Sequence, residues 1–299
     1  MARLCEGRVA IVTGAGRGIG RGYALLLAQH GAKVVVNDLG GAADGTGHDE
    51  TPAQETVRTI KEMGGEAVVS GENVADFLGA KRMIDQAIDT FGTLDVLVNN
   101  AGILRDRVLA NMMEEEWAAV INVHLKGTFA TARHAAAYWR NKSKEIGGPV
   151  HARMINTSSV SGIYGNTGQT NYGAAKAGIA AFTVIAAREL KRYGVTCNAI
   201  APIALTRMTV GLRELNEAEK AQRDPNNVAP PVVWLASRES DDFTGRIVES
   251  GGGLLAIAEG WHRGPTAAPM ADPSKLGPTM MDLQKRARLN AAMNGKDFD

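Results

Sequence analysis

The stretch VAIVTGAGRGIGRG, from Val9 to Gly22, decides the fold, because an apolar strand runs directly into glycines and then into a helix. Val and Ile in such a run favour a strand that is buried on both faces. Gly14, Gly18 and Gly20 follow in the spacing GxxxGxG. A strand that opens into a helix in this way presents backbone N–H groups and the positive end of the helix dipole to an anion. We therefore predict an anion-binding turn, whose glycines admit a pyrophosphate closely.

Strand-like and helix-like runs alternate along most of the chain. The strand-like runs, rich in Val and Ile, are Val9–Val12, Val34–Val36, Ala67–Val69, Leu94–Val98, Met154–Ile155 and Thr196–Ile200. Runs with apolar residues at helical spacing lie between them, at Gly20–His30, Pro52–Met63, Phe77–Phe91, Glu114–Trp139 and Tyr172–Arg192. This alternation predicts an α/β fold, a doubly wound parallel sheet with right-handed crossovers and helices on both faces.

The alternation also predicts the domain organisation. One domain is expected over residues 1–260, because no second set of alternating runs follows it. Residues 203–226 within it are expected to form an irregular helical insertion. Residues 261–299 are expected to be a C-terminal extension with several prolines and glycines and one short helical pattern, Met280–Met293.

The composition argues against several classes of protein. The 299 residues carry a net charge of +1 with both signs mixed, so no nucleic-acid or membrane partner is expected. The apolar runs are strand-sized, and Cys5 and Cys197 lie far apart without metal-ligand spacing. The ends MARLCEGRVAIVTG and GKDFD lead us to expect neither a leader nor a peroxisomal signal. These features predict a cytoplasmic protein with reduced thiols and no metal site.

The second strand ends in VVVNDLGG, which places Asp38 about twenty residues beyond the glycine turn. A carboxylate there accepts hydrogen bonds from the hydroxyls of an adenosine ribose and repels a 2′-phosphate. Arg17, inside the turn, has the opposite preference, since a guanidinium attracts that phosphate. Because the charge of Asp38 sits at the ribose while Arg17 can turn to solvent, we expect the cofactor NAD in preference to NADP.

Polar residues end the fourth strand and begin a later helix. VLVNNAG carries Asn99 and Asn100, which are expected to face the cofactor or to brace the loops around it, because ligands lie at the carboxyl ends of parallel strands. Tyr172 and Lys176 in NYGAAK stand four residues apart, so they lie side by side on one helix face. Such a pair occurs by chance in roughly one similar sequence in five, so it indicates no function alone.

Taken together, TGAGRGIG, NNAG, INVHLKG, INTSSVSG and NYGAAK resemble, in order, the motifs of the short-chain dehydrogenase/reductase family. The resemblance extends from about Glu6 to Gly253. It implies a Rossmann-like sheet and an oxidoreductase that interconverts a secondary alcohol and a ketone. VVNDLGGAADGTG, NNAGILRDR, SGIYGNTGQTNY and CNAIAPIALTRMT look most similar to the dehydrogenase part of peroxisomal multifunctional enzymes. That similarity implies a 3-hydroxyacyl-CoA or hydroxysteroid-type substrate.

The resemblance also implies roles for individual residues. Tyr172 is the implied acid/base, Lys176 lowers its pKa and binds the nicotinamide ribose, and Ser159 holds the substrate oxygen. Ser159 is preferred to its neighbouring hydroxyls because it stands thirteen residues before Tyr172, which is the spacing of the family. Asn122 is implied to support a bent helix and a water chain. The positions implied to contact the cofactor are Gly14, Arg17, Gly18, Ile19, Gly20, Asp38, Asn73, Val74, Asn100, Ala101, Gly102, Tyr172, Lys176, Pro202 and Thr206.

Two other interpretations remain open at this point. A 3-oxoacyl-[acyl-carrier-protein] reductase would use NADPH, and Asp38 argues against that cofactor. A nucleotide-sensing scaffold that had lost its chemistry would have no need of Tyr172, Lys176 and Ser159 together.

The implied partners are a small-molecule substrate and further copies of the chain. The helix predicted at Tyr172–Arg192 is rich in Ala and Gly on one side, and small residues permit close helix packing. The resemblance implies a homodimer or homotetramer that uses this helix and its neighbour from Glu114. It also places the substrate lid within residues 203–226.

Overall fold

The computed structural model describes residues 3–49, 51–205 and 216–297. Within these residues one sheet contains β1 (Val9–Thr13), β2 (Lys33–Asn37), β3 (Ala67–Ser70), β4 (Val96–Asn99), β5 (Ala152–Thr157), β6 (Val195–Ile203), β7 (Ile247–Gly251) and β8 (Leu254–Ala258). The strand order is β3-β2-β1-β4-β5-β6-β7-β8, with every neighbouring pair parallel except β7 and β8. From β1 the strand order runs to one side through β2 and β3, and from β4 it runs to the other side of β1. Open sheets of this kind bind ligands at the carboxyl ends of the strands beside this reversal.

Helices connect the strands. They are α1 (Gly18–Gln29), α2 (Thr51–Glu62), α3 (Phe77–Phe91), α4 (Glu114–Ile121), α5 (Gly127–Ile146), α6 (Val160–Ile163), α7 (Thr170–Leu190), α8 (Glu217–Gln222), α9 (Ala229–Ala236) and α10 (Leu276–Arg286). Nowhere in the described residues is a helix both long enough and apolar enough to cross a bilayer.

β1, at the centre of the sheet, is buried on both faces, whereas the edge strand β8 is largely exposed. Alternate residues of a strand point to opposite sides of the sheet. Val12 of β1 packs in a cluster with Leu27 of α1. The preceding residue, Ile11, packs in the opposite cluster with Met83 of α3 and Trp139 of α5. The prediction of a doubly wound parallel sheet is confirmed, and the near-continuous apolar strands follow from this double burial.

The helix predicted over Glu114–Trp139 is interrupted. After α4, a π-helical turn occupies Asn122–Lys126, and α5 begins at Gly127. A π-helical turn adds a residue to one turn of the helix, so it shifts which side chains face the sheet. The sequence pattern does not reveal the turn, because both flanking stretches keep helical spacing.

The sheet has two strands that the apolar runs did not predict, β7 and β8. The sequence of β7, IVESG, contains Glu249 and Ser250, yet all five of its residues are buried. The carboxylate of Glu249 accepts a hydrogen bond of 2.5 Å from the hydroxyl of Tyr164, which compensates for its burial. The strand was not predicted because it contains buried polar residues, and the hydrogen-bond partner of Glu249 is distant along the chain.

The structure describes only part of the insertion predicted at 203–226. The backbone N–H of Leu205 donates to the carbonyl of Arg223 at 2.6 Å, so the two described ends of the segment meet. Residues 206–215, which include the predicted cofactor contact Thr206, lie outside the described residues.

From Glu259 onward the chain forms a second compact unit. It contains a 3₁₀ turn at Pro273–Lys275 and α10, where Arg286 pairs with Asp282 at 2.8 Å. The helix lies nearer the N-terminus than the predicted Met280–Met293, since the backbone is already extended at Ala287.

Replacing Trp139 with Ala is expected to lower the free energy of unfolding by about 3–5 kcal/mol, because the indole is fully buried and its loss leaves a cavity. The change also removes the hydrogen bond from Nε1 to the carbonyl of Leu94, which measures 2.7 Å. Trp261 is 96% exposed, so its replacement with Ala should change this free energy by less than about 0.5 kcal/mol. Urea denaturation at one protein concentration compares the variants, and equal losses would contradict this assignment of the core.

Candidate active site

The glycine turn packs more closely than any side chain would allow. A Cβ atom on Gly14 would lie 2.8 Å from Cα of Ala101, and one on Gly20 would lie 2.1 Å from the carbonyl oxygen of Gly14. The N-cap of α1 is Arg17, whose side chain does not cap the helix, and the first turn contains no acidic residue. The N–H groups at the start of α1 are therefore available to an anion such as a pyrophosphate.

Asn100 braces this turn from the neighbouring strand. Its amide Nδ2 donates to the carbonyl oxygens of Thr13, at 3.0 Å, and Gly14, at 3.2 Å. In return, the hydroxyl of Thr13 accepts the backbone N–H groups of Asn100, at 2.9 Å, and Ala101, at 3.1 Å. The sequence left two roles open for Asn100, which were to face the cofactor or to brace the loops around it. In this structure its side chain braces the glycine turn.

Asp38 lies at the end of β2, beside the glycine turn. One carboxylate oxygen accepts the N–H of Gly16 at 2.8 Å, and the other accepts the N–H of Gly40 at 2.6 Å. A carboxylate has about four lone-pair sites, so the group can still accept ribose hydroxyls. The uncapped helix, the close-packed glycines and this carboxylate together fit a dinucleotide.

A second carboxylate, Asp49, meets the same turn through Arg17, whose Nη2 lies 3.5 Å from Oδ2 of Asp49. Hydrogen bonds from Thr51, together with the nearby charge of Arg17, lower the pKa of Asp49. The backbone N–H of Asp49 donates to the carbonyl of Leu39 at 2.9 Å. The guanidinium that could have met a 2′-phosphate thus already has an anionic partner.

Residues 39–49 form a loop that reaches from β2 to the segment after β4. The carbonyl of Ala43 accepts the N–H of Leu104 at 2.9 Å, and the carbonyl of Asp44 accepts Nε of Arg105 at 2.6 Å. Because β1 lies between β2 and β4 in the sheet, this loop spans the carboxyl end of β1.

The other predicted cofactor contacts lie mostly at the same edge of the sheet. Asn73 and Val74 follow β3, and the first is exposed while the second is buried. Ile19 stands half-buried in the first turn of α1, and Pro202 stands half-buried near the end of β6.

Tyr172, Lys176 and Ser159 come together at the start of α7. Nζ of Lys176 lies 5.5 Å from the centroid of the Tyr172 ring and donates to the carbonyl of Thr157 at 2.7 Å. Ser159 caps α6, since its hydroxyl accepts the N–H of Ser161 at 3.1 Å, and it is hydrogen-bonded to Tyr172. Three of the four residues predicted to be catalytic therefore form one group.

Burial sets the protonation of this group. It raises the pKa of Tyr172 to about 12, while the hydrogen bond with Ser159 acts in the opposite direction and the charge of Asp106 adds to the rise. Burial also lowers the pKa of Lys176 to about 7. In the protein alone the phenol is therefore protonated at neutral pH, and the ammonium form of the lysine is less favoured than it is in water. That Lys176 lowers the pKa of Tyr172 stays a prediction.

The structure does not bring Asn122 to this group, although the expected interruption of the helix occurs there. Its side chain is exposed, whereas Val120 and His124 on either side are buried. Residues four apart share a helix face, and a residue midway between them points away from it. His124 approaches the phenol instead, with the two ring centroids 5.1 Å apart and the planes at 89°. The sequence did contain a signal for the burial of His124: it stands four residues after the apolar Val120, and residues four apart share a helix face.

Two loops meet beside the catalytic group and form candidate walls for a substrate. The backbone N–H of Arg107 donates to the carbonyl of Gly168 at 2.8 Å. The side-chain amide of Gln169 donates to Oδ2 of Asp106 at 2.8 Å. These bonds join the segment after β4 to the segment before α7.

A cavity of about 910 Å³ lies between α9 and β8, but its position does not mark the chemistry. Its walls include Trp234, Phe243, Leu255 and Ile257 and none of the residues predicted for the active site. The cavity therefore lies apart from both the glycine turn and the group around Tyr172.

Comparisons with known proteins agree with this geometry. The family model described as short chain dehydrogenase matches residues 8–220. The peroxisomal multifunctional enzyme type 2 of Drosophila melanogaster is 46% identical over 83% of this chain, which spans only 39% of that enzyme. The hydroxyacyl-CoA dehydrogenase ChsB1 of Mycobacterium tuberculosis is 42% identical over 93% of this chain and 88% of its own length. A crystal structure of a short chain dehydrogenase from Mycobacterium avium is 52% identical, with a TM-score of 0.87 over 96% of this chain and 98% of that one. The chain therefore belongs to the short-chain dehydrogenase family and is an oxidoreductase that acts on CH–OH groups.

Proposed function

We propose that this chain is an NAD(H)-dependent dehydrogenase that interconverts a secondary alcohol and a ketone on a 3-hydroxyacyl-CoA or hydroxysteroid-type substrate. The observation that carries the proposal is the convergence of Tyr172, Ser159 and Lys176 at the same sheet edge as the glycine turn. The names of the fly and mycobacterial relatives support the acyl-CoA class of substrate.

The chemistry follows from the placement of these groups. When bound, an oxidised nicotinamide supplies a hydride acceptor and a positive charge. Tyr172, as phenolate, accepts the proton of the substrate hydroxyl while the carbinol hydrogen leaves as hydride and the C–O bond becomes C=O. Each turnover therefore removes one proton and one hydride. Ser159 donates to the substrate oxygen and holds it against the phenol, and in the reverse direction Tyr172 returns the proton.

Lys176 has two proposed tasks, which both depend on its burial. Its ammonium stabilises the Tyr172 phenolate, because an opposite charge in a poorly solvated site acts strongly. It also binds the ribose next to the nicotinamide. The anchor for both is its bond to the carbonyl of Thr157, which fixes the direction of the side chain.

The preference for NAD is proposed from two carboxylates. Asp38 can accept the ribose hydroxyls and repels a 2′-phosphate, since like charges at short range are unfavourable. Asp49 holds Arg17, so the cation that would attract that phosphate is already paired. Both effects favour NAD.

We also propose a homodimer or homotetramer that buries α5 and α7. Ala174, Ala177, Ala181 and Ile185 are exposed along α7, and the side chain of Phe129 on α5 is 46% exposed. Sedimentation at micromolar concentration measures the mass, and Ile185→Glu is expected to lower it if this face is the contact. A monomeric mass for the wild type would refute the proposal. A cytoplasmic location, tested by fractionation of cells, stays a prediction.

A panel of 3-hydroxyacyl-CoA thioesters and hydroxysteroids, assayed with NAD and NADP at the absorbance of the reduced nicotinamide, tests the function directly. Oxidation with NAD is expected. Reduction of carrier-protein thioesters with NADPH alone would favour the reductase alternative. No turnover of any substrate would favour the scaffold alternative.

In this assay Tyr172→Phe is expected to lower kcat by about 10²–10⁴-fold, because the acid/base is lost while the ring remains. The wild-type rate of alcohol oxidation should rise between pH 7 and pH 10, since oxidation needs the phenolate and burial holds the pKa of Tyr172 high. The rate of ketone reduction should change little over the same range, because the phenol that donates the proton stays protonated below its raised pKa. A phenylalanine variant with unchanged kcat would refute the mechanism.

Asp49→Asn is expected to tighten NADP about three- to tenfold and to change NAD by less than about twofold, because it releases Arg17 while Asn can still accept the N–H of Thr51. Isothermal titration with each dinucleotide measures the effect. Asp44→Asn is the matched control, since it removes the same charge from the same loop but its carboxylate bonds Thr46. An equal response of the two variants would argue against Arg17 as the cause.

A further inference from the structure

The short helix α6 connects Ser159 to the loop that precedes α7. It is a single turn over Val160–Ile163, which Ser159 caps at its start and Tyr164 ends. The backbone N–H of Tyr164 donates to the carbonyl of Val160 at 2.8 Å. An isolated turn of this length is unstable in water, because starting a helix costs more free energy than a few hydrogen bonds provide. The position of α6 and of the loop after it therefore depends on contacts with the rest of the protein.

One such contact is the hydrogen bond from the hydroxyl of Tyr164 to Oε1 of Glu249, which measures 2.5 Å. Glu249 is 6% exposed, and the side chain of Tyr164 is half-buried. Burial, this hydrogen bond and the charge of Glu249 raise the pKa of Tyr164 to about 12, so the phenol remains a donor at neutral pH. A hydrogen bond to a charged acceptor is stronger than one between neutral groups, so this bond can fix the place of Tyr164.

Glu249 stands on a well-supported part of the sheet. The strand register pairs it with Ala201 of β6 on one side and with Ala256 of β8 on the other. Ile163, the residue before Tyr164, packs against the apolar cluster that contains Ala201. Strands that are hydrogen-bonded on both sides and packed against a core resist local opening. The end of α6 is thus attached to a rigid support.

The loop that follows, residues 164–169, is the wall segment that leads to Tyr172. Its far end is attached to the other wall, because the carbonyl of Gly168 accepts the N–H of Arg107 and the amide of Gln169 donates to Asp106. Residues 165–167 between the two attachments are exposed. A Cβ atom on Gly165 or on Gly168 would have no neighbouring atom within 4 Å, so little packing surrounds the segment. Its conformation therefore depends on the attachments at its two ends.

We propose that Tyr164 and Glu249 are positioning residues for the substrate, because their hydrogen bond holds the wall segment in the conformation that the substrate meets. Without the bond the segment would adopt more conformations, and the substrate would have to order it on binding, which lowers affinity. The glycine turn does not depend on this bond, since three strands separate β1 from β7 in the sheet. The inference rests on the proposed function, which places the substrate beside Tyr172.

Four variants test the bond. Tyr164→Phe removes the hydroxyl and keeps the ring, and Glu249→Met removes the acceptor and keeps an unbranched side chain. Glu249→Gln keeps an oxygen that can accept from the phenol. A Tyr164→Phe/Glu249→Met double variant leaves no buried carboxylate without its donor, so it serves even if Tyr164→Phe alone folds poorly. Tyr138→Phe is the matched control, because that phenol bonds Thr93, which precedes β4 at the opposite edge of the sheet.

The measurement is the steady-state rate with the best substrate of the panel, together with titration of NAD. Tyr164→Phe and Glu249→Met are expected to raise KM about five- to tenfold and to change kcat less than about twofold, because binding is weakened equally in the ground and transition states. The double variant should raise KM no further than either single change, since both remove the same bond. Glu249→Gln and Tyr138→Phe should keep the wild-type KM, and the Kd for NAD should be unchanged throughout.

Several outcomes would overturn the inference. A wild-type KM for Tyr164→Phe with a lowered melting temperature would show that the bond only stabilises the fold. An equal rise in KM for Glu249→Gln and Glu249→Met would assign the effect to the charge of Glu249. A loss of kcat at constant KM would indicate a displaced Ser159 instead of a displaced wall. If Tyr172→Phe keeps full activity, the proposed function itself fails. If Tyr172→Phe is inactive while Tyr164→Phe matches the wild type, only this inference fails.

Discussion

The carboxyl ends of β1 and β4 are joined by the reciprocal hydrogen bonds of Thr13 and Asn100, and the active site depends on this junction. The amide of Asn100 holds the carbonyl of Gly14, and Gly20 packs against both because it has no Cβ. Two residues further along the same segment, Gly102 makes room for the ring of His124, which contacts Tyr172. A displacement at the junction would therefore reach the anion-binding turn and the catalytic phenol together.

The second constraint is the burial of ionisable groups. Low dielectric disfavours charge, so the pKa of Tyr172 rises and that of Lys176 falls, and the charged form of each is disfavoured in the protein alone. In the proposed mechanism, a positively charged nicotinamide would favour the phenolate of Tyr172, because opposite charges stabilise each other in a poorly solvated site. In that mechanism the charge of the site would change together with the binding of the cofactor.

Much of the fold and part of the site were predictable, for identifiable reasons. Apolar strands buried on both faces leave a strong sequence pattern, as in β1. In β7 the polar Glu249 is buried because it accepts a hydrogen bond from Tyr164, and the sequence does not show this contact. Tyr172 and Lys176 were identifiable because four residues place them on one helix face. The role of Asn122 stays a prediction, and the burial of His124 was not foreseen, because a π-helical turn decides which side chains of this segment point inward.

By itself the sequence determined the alternation of strands and helices, the glycines at the first turn, and the order of the family motifs, because these depend on local periodicity and on backbone freedom. Only the tertiary structure decided the partners of groups distant along the chain. It paired Arg17 with Asp49 through a loop that spans β1, and it set His124 against Tyr172. Such contacts arise when separate segments are packed together, and no spacing along the chain encodes which side chains then meet.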